Sequence, residues 1–205
     1  MVNLFFNQNP NEPILELNTP NVGSDKQEEL ALNYRKIYIN DEVNKESIFT
    51  AVYFLQKIDE EDSKRGIKPP ISIFINSVGG YCSEGFILVD MIDQLKAKGY
   101  VINTIVTGMA FSFGVVLALA GTKRYCYKHG DYMLHTVQIT PPTASLPEMQ
   151  RTIKNAERIQ SNIEEYVLAH SKITKEQLHG FIDDGNDWYF NATEAVEYGF
   201  CDEII

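Results

Sequence analysis

The sequence predicts an α/β domain with a largely parallel sheet. Three observations carry this. Segments with strand periodicity alternate with segments of helical spacing along the chain. The length, 205 residues, suits one domain with a full hydrophobic core. The composition, 44% apolar and 22% charged, is that of an ordinary globular protein.

The elements follow in chain order. Residues 1–30 are polar and Asn/Pro-rich without clear periodicity, and read as an N-terminal arm that orders only against something else. The domain proper is expected over 31–205. "KIYIN" (36–40) reads as a strand, and "KESIFTAVYFLQKI" (45–58) as a helix leading into a charged loop, "DEEDSKRG". In "PPISIFIN" (69–76), Ile71, Ile73 and Ile75 alternate with Ser72 and Phe74, a strand pattern entered through Pro70. The glycine-rich turn "SVGG" follows. "SEGFILVDMIDQLKAKG" (83–99) is an amphipathic helix ending at Gly99, in the position that favours a left-handed backbone. "YVINTIVTG" (100–108) is a buried strand, 111–120 a short apolar helix, and "KRYCYK" and "YMLHTV" further strands.

A long helix is predicted over 145–170. Ser145 and Glu148 make a capping box, and Pro147 fits the first turn. Leu146, Met149, Ile153, Ala156, Ile159, Ile163 and Tyr166 form a stripe at spacings of three and four. At 1.5 Å per residue the helix measures about 39 Å. That length is consistent either with a core-covering helix or with one that projects onto another subunit. Thr174 and Gln177 start a second helix in the same way, and "ATEAVEYG" is a last short one before "FCDEII".

Composition excludes several function classes. The formal net charge is −10, which disfavours a nucleic-acid partner, because phosphate binding needs clustered Lys and Arg. The longest apolar run, Val115 to Ala120, cannot span a bilayer. The opening "MVNLFFNQNP" lacks a basic region and an adequate apolar stretch, so no secretory leader is expected. Cys82, Cys126 and Cys201 are odd in number and widely spaced, which predicts neither disulfides nor a metal pair. They read as three small buried hydrophobes in a reducing, cytoplasmic setting. No phosphate-binding loop of the G-x-x-x-x-G-K-[ST] type occurs, so no ATPase is built into this chain.

One stretch carries chemistry. In "GMAFSFGV" (108–115), Ser112 is a lone hydroxyl between Phe111 and Phe113, with Ala110 and Gly114 two positions away on either side. A nucleophilic serine on a sharp strand-to-helix turn needs small residues at those two positions. A core serine bonded back to a helical carbonyl is the alternative. Gly79 and Gly80 of "SVGG" offer a backbone N–H toward an oxyanion, and Phe113, the residue after the serine, offers a second. A serine nucleophile also needs a base. Of four histidines, His135 alone ends an apolar strand, where its side chain can enter a cleft. Spacing does not choose among Asp183, Asp184 and Asp187 as its carboxylate partner.

Taken together, "INSVGG", "GMAFSFG", "YMLH" and "ATEAVEYGFCDEI" resemble ClpP, the family of proteolytic subunits of the Clp proteases. The resemblance runs from about Lys36 to Ile205. It implies a ClpP/crotonase-type fold with a mostly parallel sheet flanked by helices and a projecting handle helix, over about 136–170. It implies a Ser-His-Asp triad of Ser112, His135 and Asp187, with Gly80 and Phe113 as the oxyanion donors. It further implies stacked heptameric rings, a tetradecamer with the sites sealed inside, and an AAA+ unfoldase that alone uses ATP. Substrates would be unfolded polypeptides. No cofactor or metal is expected in the chain, and no nucleic-acid or membrane partner. Two other readings share the fold: a ring subunit that docks or regulates without cleaving, and a signal-peptide-peptidase-like hydrolase with a Ser-Lys dyad. Val78, Thr136-Val137, "QITPPTAS" and the two phenylalanines around Ser112 depart from the family's usual residues.

Overall fold

A computed structural model describes residues 24–139, 145–182 and 185–205. Most of residues 1–30, Asp183 and Asp184 lie outside them, as does part of the expected handle.

The described chain forms one seven-stranded sheet with helices around it. Helix α1 (Ser24–Tyr34) leads into β1 (Lys36–Ile39), then α2 (Lys45–Arg65) and β2 (Ile71–Ser77). Next come α3 (Cys82–Ala97), β3 (Ile102–Phe111), α4 (Phe113–Leu119), β4 (Lys123–Cys126) and β5 (Asp131–Leu134). The chain ends with α5 (Leu146–His170), α6 (Lys175–Ile182), β6 (Trp188–Asn191), α7 (Ala192–Tyr198) and β7 (Glu203–Ile204). The main path runs β1-β2-β3-β4-β7, every neighbour parallel. This is the fold class the alternation predicts.

β3 organises the site because it has two partners on one edge. Its first half, Asn103–Val106, pairs with β4. Its second half, Met109–Phe111, pairs with β5, which carries antiparallel β6 beyond it. The sequence reading ended this strand at Gly108; it continues to Phe111 because β5 supplies the ladder partner. That reading also contained no β6. Only four residues long, it alternates buried Trp188 and Phe190 with exposed Tyr189 and Asn191.

Two helix boundaries also differ from expectation. Residues 24–30, placed in the arm, form the first turns of α1, whose Ala31 is fully buried. The charged stretch after residue 58 is helical through Arg65. Asp62 is its reason: it is buried, and both its oxygens take hydrogen bonds from Arg35, at 3.1 and 2.8 Å. Arg35 also donates to the Pro69 and Pro70 carbonyls, fastening the end of α2 to the entries of β1 and β2. Gly66, at φ 66°, then ends the helix.

α5 is the element that stands apart. Its C-terminal half packs on α4 and buries Val167, while Leu146, Met149 and Ile153 at its start are exposed. Glu148 Oε2 accepts from the Ser145 N–H at 2.8 Å, as the capping box predicts. Among the described residues no helix is long and apolar enough to cross a membrane.

Candidate active site

Ser112 sits between β3 and α4 with φ 52° and ψ −121°. A non-glycine residue there is strained, by about 1–3 kcal/mol, and persists only where its surroundings over-determine it. They do. Its N–H donates to the Met133 carbonyl at 2.7 Å, a bond that continues the β3–β5 ladder into the turn. Ala110 before it is fully buried, and a Cβ on Gly114 after it would lie 3.2 Å from the Ser77 carbonyl. The space under the turn is tight at both small residues, and among the described residues the Ser112 hydroxyl makes no hydrogen bond back into a helix.

The "SVGG" turn packs directly on this one. A Cβ on Gly79 (φ 89°) would approach the Phe111 carbonyl to 2.5 Å and Ser112 Cβ to 2.6 Å. Gly79 donates to Ser77 Oγ at 3.1 Å and accepts from Val43 N at 2.7 Å, while Tyr81 N donates to the Val43 carbonyl at 2.8 Å. Those bonds occupy Gly79 and leave the Gly80 N–H unused among the described residues. Phe113 opens α4, so its N–H has no partner inside the helix either. Of the two glycines the sequence offered, Gly80 is the one with a free donor.

Ser112, Gly79, Gly80, Phe113 and His135 line one cleft of about 260 Å3. Val116, Leu134, Val137 and Ile163 give it apolar walls, and Glu42 and Gln138 polar ones. Ile163 belongs to the α5 stripe, so the stripe serves the cleft as well as the projecting surface. Glu42 escaped the sequence reading, and no spacing in the sequence marks it; Gln138 opens "QITPPTAS", noted there only as a departure from the family's usual residues. Phe113 lines the cleft with its ring edge-on to Phe86, centroids 4.9 Å apart. Phe111, on the other side of Ser112, packs edge-on against Tyr189, 5.7 Å away. Cys126 and Cys201 are buried as expected; Cys82 is half-buried in the cleft. Burial pushes its thiol up, so it stays neutral at pH 7.

His135 follows the last residue of β5. Its Nδ1 lies 2.6 Å from the Thr136 carbonyl. A carbonyl only accepts, so Nδ1 is the donor of this bond, and in the neutral imidazole that tautomer leaves the lone pair on Nε2. β5 and β6 pair Leu134 with Trp188; one step further, the same register sets His135 across from Asp187. Asp187 is exposed and does not line the cleft. Among the described residues no hydrogen bond joins Ser112 to His135 or His135 to Asp187.

The family model described as "Clp protease" matches residues 22–205. The chain belongs to the Clp protease family. An ATP-dependent Clp protease proteolytic subunit of Lactococcus lactis is 31% identical over 166 residues, covering 78% of this chain and 75% of the relative. The protein of the same name from Streptococcus salivarius is 31% identical over 162 residues, covering 78% and 76%. In this Clp protease family member Ser112 and His135 line one cleft, and Asp187 lies one register step past the Leu134–Trp188 pair, outside the cleft lining. No group of three or more His, Cys, Asp or Glu able to hold a metal occurs among the described residues.

Proposed function

We propose that this protein is a serine endopeptidase that cleaves unfolded polypeptides inside an oligomeric ring. The observation that carries the reading is Ser112: a strained, positive-φ serine facing a cleft that also holds a histidine and two unpaired backbone donors. Ser112 Oγ attacks the carbonyl carbon of the scissile peptide, and its proton passes to His135 Nε2. The N–H groups of Gly80 and Phe113 receive the oxyanion. The C–N bond then breaks, and the leaving amine takes the proton from His135. Water, deprotonated by His135, repeats the attack on the acyl-enzyme and releases Ser112.

Asp187 is the orienting carboxylate. In the state described, Nδ1–H is held by the Thr136 carbonyl; exchange of that partner for Asp187 stabilises the imidazolium that forms during attack. The register opposite His135 supports this choice over other acidic residues. The exposed start of α5 supports assembly, with Leu146, Met149 and Ile153 as the surface that a second ring covers. Two stacked heptamers with an AAA+ unfoldase supplying substrate, and consuming the ATP, complete the reading in the cytoplasm. A second reading follows from the missing triad hydrogen bonds: a ring subunit that binds polypeptide without cutting it.

Hydrolysis of short fluorogenic peptides and of unfolded casein by the full chain, with particle mass recorded on the same samples, separates the two. Turnover that is absent in Ser112→Ala supports the peptidase. Particles of ring mass that bind casein without turnover support the scaffold. Activity that survives His135→Ala points to a lysine base.

A further inference from the structure

A chain of hydrogen bonds runs from α6 through α5 to the wall of the cleft. The backbone N–H of Val137, two residues past His135, donates to Gln160 Oε1 at 2.7 Å. Nε2 of the same amide donates to Glu164 Oε1 at 2.8 Å. The other oxygen, Glu164 Oε2, faces His179 Nε2 at 3.1 Å. Gln160 and Glu164 are one turn apart on α5, and His179 comes from α6.

The ends of this chain dictate its middle. A backbone N–H only donates, and an ionised carboxylate only accepts. A side chain bridging them must offer an acceptor on one side and a donor on the other. An amide does so; a carboxylate or an ammonium does not. Glu164 is ionised at neutral pH: burial opposes its charge, but hydrogen bonds from Gln160 and His179, with the charges of His179 and Lys175, hold it below the usual carboxylate range.

The segment so held matters for chemistry. Residues 135–139 belong to no strand, and Val137 and Gln138 line the cleft. The bond from His135 to the Thr136 carbonyl is internal to this segment and cannot place it. Among the described residues, Gln160 is the side chain on a helix that ties the segment to the rest of the fold.

We propose that Gln160 is a positioning residue for His135. Through the Val137 N–H it fixes the segment carrying the imidazole, and Glu164, backed by His179, fixes the Gln160 amide. The inference rests on His135 acting as the base of Ser112.

The test uses the full chain and two readouts: hydrogen exchange at the Val137 amide, and the second-order rate at which a fluorophosphonate labels Ser112. Gln160→Ala removes the bridge. Gln160→Glu leaves Glu164 Oε1 without a donor and sets two carboxylates against each other. Gln160→Glu combined with Glu164→Gln exchanges donor and acceptor and restores the bridge. The single variants are expected to speed Val137 exchange by roughly tenfold or more and to slow labelling by about 10–100-fold, the cost of a misplaced catalytic group. The combined variant is expected to recover most of both losses at the particle mass and melting temperature of the parent. Unchanged Val137 exchange or unchanged labelling in folded Gln160→Glu would overturn the proposal, as would failure of the combined variant to recover. If Gln160→Ala does not fold, Gln160→Glu and the combined variant decide. A parent protein that never labels would remove the serine-peptidase reading and the positioning role with it, even where Val137 exchange showed the bridge itself to be present.

Discussion

The two walls of the cleft are built differently. The Ser112 wall is made of parallel sheet and two interlocked turns. Ser112 N is bonded to the β5 end, Gly79 is bonded on both sides, and Ala110 and Phe113 are buried. The His135 wall lies beyond the ends of β5 and β6. Its histidine is bonded to its own neighbour's carbonyl, its carboxylate is exposed, and one amide side chain ties it to α5. The difference teaches where strain can be stored. A positive-φ serine needs a rigid surround and has one. On the proposed reading His135 exchanges hydrogen-bond partners during turnover, and its segment, 135–139, belongs to no strand.

The largest expected effect falls on the rigid wall. Ser112→Ala should lower peptidase kcat/KM on the order of 10^3-fold or more, with the fold kept. Ser112→Gly should be equally inactive yet more stable than Ser112→Ala by about 1 kcal/mol in urea unfolding, because glycine tolerates this backbone. On the His135 wall, Asp187→Asn should cost about 10^2–10^4-fold in kcat and leave the melting temperature unchanged, since the carboxylate is exposed. An unchanged rate would show that the wall works without Asp187.

Stability effects are smaller and sharpen the contrast. Gly79→Ala should destabilise by about 2–4 kcal/mol, from the clash with Phe111 and Ser112 and from its positive φ. Gly180→Ala on α6, where a Cβ meets nothing within 4 Å, should stabilise by about 0.5–1 kcal/mol. Comparable losses at the two sites would contradict the picture of a crowded serine turn. Smallest of all is Asp202, at the β4–β7 edge that neither wall uses. Burial raises its carboxyl, but hydrogen bonds and charge from Arg124 outweigh that and hold it below its ordinary value of 3.8. A depressed folded pKa gives stability that is present above the unfolded value and lost as pH falls through the folded one. Asp202→Asn should therefore cost at most about 1 kcal/mol at pH 7, given the screening of a half-exposed pair, and the gap to the parent should close below about pH 4.

The rigid wall was also the legible one. Ala110, Ser112, Gly114 and the paired glycines are close in sequence, and local crowding dictates their identities. The parallel core strands were readable for the same reason: Ile71, Ile73 and Ile75 alternate, and all three are buried. The His135 wall depends on pairings distant in sequence. Asp187 falls in register with His135 only because β6 pairs with β5, and β6 is four residues of weak alternation. The Arg35–Asp62 pair, which carries α2 past residue 58, spans 27 positions and leaves no local pattern. Gln160 reads as one more polar residue on an amphipathic helix until Val137 is placed beside it.

The most direct test is peptide mapping of the full chain after fluorophosphonate treatment, in particles of measured mass, beside Ser112→Ala and His135→Ala. The account predicts one adduct per chain, on Ser112, absent in the first variant and slowed by about 10^3-fold or more in the second. An adduct on another residue, or none on particles of full ring mass, would contradict it.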